Sequence, residues 1–504
     1  MKHKNRSWAL ADSGSARQRR SSGIILVVMI IALLVGCARE QRRTRTGDVP
    51  TGSPAETSST SLSAATATQA IGLPNVGPLF EPTPPPQVYI VQSGDTLTGI
   101  ASRFGCTVQA LMEANQITNP NLLQLGQKLQ IPAVQAEVGP SAILLPDSEF
   151  VNGPAYVDFN IGAFCARQES WLIKYSESVG GQLLSGPEIV TLVAHRFSLG
   201  PRLLLAILEV QGGWVTGANP TGPAFSYSTL AKMADQLNKG YYDWRGRGVT
   251  VMTWTDGTAT RYAPTLNAAT AGLQYFFSLH AVKSEWQRLV DTGPGSFLET
   301  YRRLFGDPTQ YAVEPLIPAD TANPSLVLPW PKGEMWYYVG GPHGGWGDGS
   351  AWSALEFVPD EGYLGCQTAA SWATAAAPGL IIYSQDGQVL IDLDEDGHEE
   401  TGWVLFYLHV ASEGRVPVGT RVRAGDRIGH PSCEGGFAEA THLHLARKYN
   451  GEWIAADGPL PMILSGWQAH SGGAPYEGTL TRGREVRTSC ECWEAEYNGL
   501  VREE

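Results

Sequence analysis

The sequence predicts a multidomain chain: a small βααβ module, a mostly α-helical domain and an antiparallel all-β domain, in that order. Three observations carry this reading. At 504 residues the chain is too long for one hydrophobic core. Its apolar pattern changes period, from a short strand-and-helix unit near residue 90, to helical spacing from about 140, to alternating strands and Gly-rich turns beyond about 330. Six of its ten histidines fall between His343 and His444, inside the strand-patterned part. A net charge of −13 with no basic cluster in the body argues for no nucleic acid partner.

The first segment, 1–37, opens with Lys2, Lys4, Arg6, Arg17, Arg19 and Arg20, then runs into "GIILVVMIIALLVGC". That apolar run is shorter than the roughly 20 residues a membrane span needs. A positive flank, a short apolar centre and small residues before a break make an export signal. "LVGC" resembles the lipobox of bacterial lipoproteins. The resemblance implies cleavage before Cys37, lipidation of its sulfur and a membrane anchor, with an uncut anchor as the alternative. Either way the body is exported and faces the cell wall. Residues 38–86 are rich in Thr, Ser, Ala and Pro without apolar periodicity, and read as a disordered tether.

The segment 87–133 carries "YIVQSGDTLTGIASRFGCTVQALMEANQITNPNLLQLGQKLQIP", with alternation at each end and helical spacing between. It resembles a LysM module over its whole length, with Tyr89, Gly94-Asp95-Thr96-Leu97, Asn115 and Gly126-Gln127 at that family's positions. The resemblance implies binding to N-acetylglucosamine-containing glycans. Gly94, Asp95, Thr96 and Leu97, with Asn115, Gln116 and Ile117, would line the sugar groove. Asp95 and Asn115 also read as cap and turn residues.

The helical domain spans 140–320. In "PEIVTLVAHRFSLGPRLLLAILEVQGGW" two helices break at Ser198-Leu199-Gly200-Pro201. "LLLAILEVQGGW" resembles the catalytic helix of soluble lytic transglycosylases and other lysozyme-like enzymes, and Leu266–Phe277 resembles another helix of that family. The catalytic Glu of that family would fall on Gln211, and an amide donates no proton. Glu209, two residues earlier, is rotated about 200° around the helix. The domain therefore reads as a catalytically silent, lysozyme-like unit for glycan binding or spacing.

In the all-β domain, 328–468, "THLHLA" places His442 and His444 two apart on one strand face, with Thr441, Leu443 and Leu445 on the other. "FYLHV" predicts Tyr407 and His409 on the groove side, against Phe406, Leu408 and Val410. Clustered imidazoles of this kind point to a metal. These motifs resemble the lysostaphin-type zinc metallopeptidases, especially their β-lytic branch. "GGPH" would supply the first ligand, His343. The carboxylate expected thirteen positions on falls on Glu356, where the family has Asp. The resemblance implies Zn2+ held by His343, Glu356 and His444, with His442 as general base and His409 stabilising the oxyanion or orienting the water. Asp348 reads as a turn residue; His398 and His430 read as surface or structural. The implied substrate is a peptide cross-link of peptidoglycan, with a non-enzymatic wall-binding protein as the alternative.

Two features stand outside that resemblance. Asp392, Asp394 and Asp396 copy half of a Ca2+ loop whose twelfth position is Trp403, so a cation site and a solvated hairpin tip remain equal readings. Export permits disulfides, and Cys366 with Cys433 is the favoured pair because both fall in one domain. The tail 469–504, with "CECW", reads as an extension; its cysteines could pair with Cys106 or Cys165.

Overall fold

The computed structural model describes residues 87–504, apart from 92–94, 105, 107, 121, 133–136 and 255–257. Cys37, the segment 1–37, the linker 38–86 and Gly94 lie outside the described residues. No helix among the described residues is long and apolar enough to cross a membrane.

The first unit is strand β1 (Gln87–Ile90), helices α1 (Leu97–Phe104) and α2 (Val108–Ala114), and strand β2 (Lys128–Ile131), with β1 and β2 antiparallel. Leu97, Ile100, Leu111 and Leu129 close its small core. Two expected glycan contacts are corrected by this packing. Leu97 is 1% exposed and belongs to the core. Asn115 spends its amide on the backbone, donating to Leu111 O and Gln130 O and accepting from Gln130 N–H. Asp95 accepts the Tyr89 hydroxyl at 2.7 Å, and Thr96 Oγ1 accepts Gly99 N–H. Gln116 is exposed and Ile117 half-buried.

The helical part contains α3 (Gly186–Phe197), α4 (Pro201–Gly212), α5 (Tyr227–Arg245) and α6 (Ala268–His280), among shorter helices and hairpins. Three of these starts are capped by side chains, as their sequence dictates. Glu188 accepts Ser185 N–H ahead of α3, Ser226 Oγ accepts Thr229 N–H at α5, and Asn267 Oδ1 accepts Thr270 N–H at α6. Helix α3 stops where Ser198 turns left-handed, and Pro201 restarts the chain as α4. Helices α5 and α6 approach closely because a Cβ on Gly240 would lie 2.9 Å from Gly272 Cα.

The third part is built on a nine-stranded antiparallel sheet. Its strands are β3 (Met335–His343), β4 (Ala354–Pro359), β5 (Gly379–Gln385), β6 (Gln388–Asp392), β7 (Trp403–Leu408), β8 (Arg421–Val422), β9 (Leu443–Tyr449), β10 (Glu452–Trp453) and an edge strand, Gly499–Val501. The spatial order is β8-β5-β6-β7-β9-β4-β3, then the edge strand, with β10 hairpinned onto β9. A four-stranded sheet (Ile463–Leu464, Trp467–Ser471, Gly478–Arg482, Glu485–Thr488) follows. The tail is therefore no separate extension: a boundary at 468 would cut the Trp467–Ser471 strand, and Gly499–Val501 pairs with β3.

Alternation along these strands splits the sheet between two cores. Leu405, Tyr407, Leu443 and Leu445 face one core, with Trp330, Trp336 and Phe357. Val404, Phe406, Leu408 and Ala446 face the other, which is continuous with the core of the helices. The sequence expectation for β7 is thus reversed. Tyr407 is buried, its hydroxyl bonded to Ala376 N–H, while Phe406 and Leu408 share the face of His444, whose register partner is Leu408.

Candidate metal centre

Three strands deliver the ligand candidates. Register pairs His444 of β9 with Glu356 of β4, so their side chains share a face. On the other side of β4, Gly340 of β3 faces Glu356, and the register slips between Gly340 and His343. That irregularity turns the end of β3 so that His343 joins the pair. His343 Nε2 lies 3.2 Å from His444 Nδ1 and 3.3 Å from Glu356 Oε1, and His444 Nδ1 lies 3.9 Å from Glu356 Oε1.

These separations test whether a metal fits. A tetrahedral zinc with bonds of about 2.0–2.1 Å sets its ligand atoms roughly 3.3 Å apart. The outward nitrogens settle which lone pairs face inward. His343 Nδ1–H donates to Gly341 O at 2.8 Å, and His444 Nε2–H donates to Gly345 O at 3.1 Å. Two unprotonated nitrogens and a carboxylate oxygen then converge with no proton between the nitrogens. Backbone carbonyls behind metal-binding imidazoles are the usual orienting partners. The residues fit a divalent, zinc-like cation.

The Glu in place of Asp has room here. A Cβ on Gly340 would fall 2.5 Å from Glu356 Oε2 and 2.9 Å from its Cβ, so only glycine leaves space for the longer side chain. Burial pushes the Glu356 carboxyl up, but His442 and His343 outweigh it and hold it well below its usual range.

Two more histidines flank the trio. His442 Nδ1–H donates to Ala440 O, and its Nε2 lies 3.3 Å from Glu356 Oε1, buried and without a hydrogen bond of good geometry. Burial lowers its pKa, and the Glu356 charge more than reverses that. His409 sits 4.4 Å from His442 ring to ring, with Nδ1–H donated to Glu434 O at 2.9 Å. Burial, then the neighbouring His442 and His444, hold His409 well below the usual range. His444 falls to about 4, chiefly through burial. His409 reaches this place against the expected alternation: β7 ends at Leu408, and a φ of 65° at His409 turns its ring out of the sheet pattern.

Tyr476 carries no pattern that sequence reasoning could use. It lies between two strands of the C-terminal sheet, its ring stacked on His343 at 4.1 Å, and its carbonyl accepts Gly341 N–H. Asp348 is exposed in the Gly-rich loop. His430 packs on Trp372 at 3.8 Å, away from the trio.

The other sequence-predicted sites fare differently. Asp392, Asp394 and Asp396 do cluster, but Asp392 accepts Asp394 N–H and Gly397 N–H, and Asp396 accepts His398 N–H and the Thr401 hydroxyl. This is a hairpin tip closed by its own carboxylates, and the Ca2+ reading gains no support from it. Cys366 and Cys433 are bonded, with Cα atoms 5.4 Å apart. Cys490 pairs with Cys492, while Cys106 and Cys165 are free and buried, so the tail is not stapled to either. In the helical part, Glu209 accepts Val215 N–H and Thr216 N–H and pairs with Arg303, which makes it a brace for the turn after α4. Tyr241 and Tyr242, on α5, are core residues.

An antiparallel sheet bearing a His–Glu–His trio, with two further imidazoles beside it, has the donor set of a metal-dependent hydrolase. Comparison with known proteins narrows the class. Residues 89–132 match the LysM domain, and residues 143–320 match the LasA N-terminal domain. The latter stands where a lysozyme-like domain was expected. Protease LasA of Pseudomonas aeruginosa is 26% identical over 366 residues, covering 66% of this chain and 78% of that protein. The N-acetylmuramoyl-L-alanine amidase XlyA of Bacillus subtilis is 49% identical over 61 residues, 12% of this chain and 20% of the amidase. Among solved structures, the M23 metalloprotease pseudoalterin covers 36% of this chain and 100% of its own at 24% identity and a TM-score of 0.29. The lysostaphin catalytic domain of Staphylococcus simulans covers 24% and 89% at 22% identity and a TM-score of 0.18. The chain is a LysM-containing, LasA-like protein with a β-rich C-terminal part.

Proposed function

We propose that this protein is a zinc-dependent endopeptidase that cleaves peptide cross-links of bacterial peptidoglycan. The LysM unit holds it on glycan strands, and export with lipidation at Cys37 anchors it to the membrane facing the wall. The observation that carries the reading is the convergence of His343 Nε2, Glu356 Oε1 and His444 Nδ1 at ligand spacing, with both imidazoles oriented by backbone carbonyls. The similarity to a protease over most of that protein's length supports the same class.

His343, Glu356 and His444 would hold the zinc, which supplies Lewis acidity and lowers the pKa of a water toward neutrality. The remaining work belongs to side chains. His442 Nε2, buried and unbonded, takes the proton as general base. His409 is neutral with its proton on Nδ1, so Nε2 presents a lone pair. That tautomer would accept a hydrogen bond from the attacking water, which supports the orienting role for His409 over the oxyanion role. The Tyr476 ring is stacked on His343 at the same rim.

Metal analysis of the purified full chain, with digestion of purified peptidoglycan, tests the reading. About one zinc per chain and release of new amino termini are expected, both abolished in Glu356→Ala and only the second in His442→Ala. A zinc-loaded chain that releases no amino termini would leave a wall-binding protein without peptidase activity.

A further inference from the structure

His409 depends on a device that the three metal-ligand candidates do not share. Its left-handed backbone, φ 65°, is unfavourable for a non-glycine residue and needs holding in place. One short segment does the holding. Ser432 donates its N–H and its hydroxyl to the His409 carbonyl, at 2.7 and 3.1 Å. Ser432 Oγ in turn accepts Glu434 N–H at 3.1 Å, and the Glu434 carbonyl accepts the His409 Nδ1–H. The Glu434 carboxylate reaches back to accept from Ser412 N–H and its hydroxyl, at 2.9 and 3.1 Å. Gly436 lies against the ring, where a Cβ would sit 3.4 Å from His409 Cε1.

The same segment touches the second proton-handling histidine, because the Ser432 carbonyl accepts His442 N–H and the two residues form an isolated bridge. Apart from that bridge, 432–436 is turn and bend with no strand ladder of its own. What ties it down is covalent: Cys433, between Ser432 and Glu434, is bonded to Cys366 across 67 residues of chain. A second strap runs in parallel, with Thr441 donating its N–H to Gly365 O and its hydroxyl to Gln367 O.

The geometry points to Ser432–Gly436, anchored by the Cys366–Cys433 bridge, as the positioning element that fixes the tautomer and orientation of His409 for peptide hydrolysis. Ser432, Glu434 and the bridge are positioning residues, since none of them faces the convergence point of the trio. The inference rests on the reading of His409 and His442 as the proton-handling pair.

The test uses the full chain carrying Ser432→Ala, Ser432→Thr or the double change Cys366→Ser/Cys433→Ser. Loss of an orienting partner behind a site imidazole costs about 10- to 100-fold in activity. A fall of that size in kcat is expected for Ser432→Ala and for the double cysteine variant, with KM within about twofold and zinc content unchanged. Ser432→Thr, which keeps the hydroxyl, should recover most of the loss. Imidazole nitrogen NMR supplies a readout independent of turnover: wild type should show His409 as a single Nδ1–H tautomer, and the cysteine variant a mixture. Wild-type kcat in both damaged variants, or a His409 tautomer unchanged in them, overturns the inference. A kcat loss accompanied by lost zinc also overturns it, since the segment would then act through the metal ligands. If wild type cleaves nothing yet shows the single tautomer that the cysteine variant loses, the peptidase reading fails and the positioning role stands.

Discussion

At the scale of single residues, the Glu where relatives of this resemblance carry Asp is accommodated by an absence across the strand. Gly340 has no side chain at the one place where a methyl group would overlap both the head and the Cβ of Glu356. Gly340→Ala should therefore push the carboxylate off the convergence point and weaken zinc binding by about tenfold or more, in line with the sensitivity of such sites to placement. Competition against a chromogenic chelator measures it; unchanged affinity would mean the strand yields instead. His343, Glu356, His442, His444 and His409 lie together in the structure; the imidazoles were legible from their clustering in sequence, whereas Glu356 was reached only through the family resemblance. The face of His409 was not legible. Alternation assumes that a strand continues, and here it ends one residue early in a left-handed turn. Tyr476 was invisible for a different reason, since its place depends on how the C-terminal sheet packs rather than on any local pattern.

Between elements, the loop after the first ligand is held from outside its own sheet. Residues 344–350 carry Gly345, whose carbonyl orients His444. Helix α5 grips the far end of that loop: the Asp235 carboxylate accepts Gly349 N–H at 2.8 Å, and Arg247, just past the helix, donates to Ser350 O at 2.6 Å. The fit is close, as a Cβ on Gly347 would lie 2.5 Å from Asp235 Oδ1. Arg196 of α3 lies over the Trp346 ring at 5.2 Å. The helical part thus buttresses the candidate metal centre as well as covering the sheet. Asp235→Ala should loosen the Gly345 acceptor and lower zinc affinity several-fold, with the LysM unit's binding to insoluble peptidoglycan unaffected. An affinity equal to wild type in the chelator assay would show that the loop is held by its own turns. Sequence periodicity found these helices and their Ser198–Pro201 break, because caps and breakers are local. It could not show that their apolar faces continue into the sheet, since which surfaces pair is decided by the three-dimensional fit of the two parts.

For the whole molecule, the contact between helices and sheet is fastened by buried charge, and its response to acid follows. Glu399, on the hairpin before β7, takes a 2.8 Å contact from His195 Nδ1 of α3 and a 3.4 Å contact from Lys448 Nζ of β9. Burial raises the Glu399 carboxyl, but His195 and Lys448 overcome it and bring it down to about 2. A carboxylate depressed in the folded state stabilises it above the unfolded value, near 4.3, and that stabilisation drains away as pH falls toward 2. A depression of this size corresponds to about 3 kcal/mol at neutral pH. Glu399→Gln removes the titrating group and leaves Lys448 buried without its counter-charge, so the variant should be less stable at pH 7. The gap between wild type and variant, measured by urea unfolding, should then narrow steadily from pH 5 to pH 3, because over that interval the unfolded chain takes up a proton at this carboxyl while the folded chain still holds it ionised. A gap that stays constant over that interval would mean the triad does not couple the two parts through charge. Their association would then rest on the shared apolar core that joins Phe406, Ala446 and Trp453 to the helices.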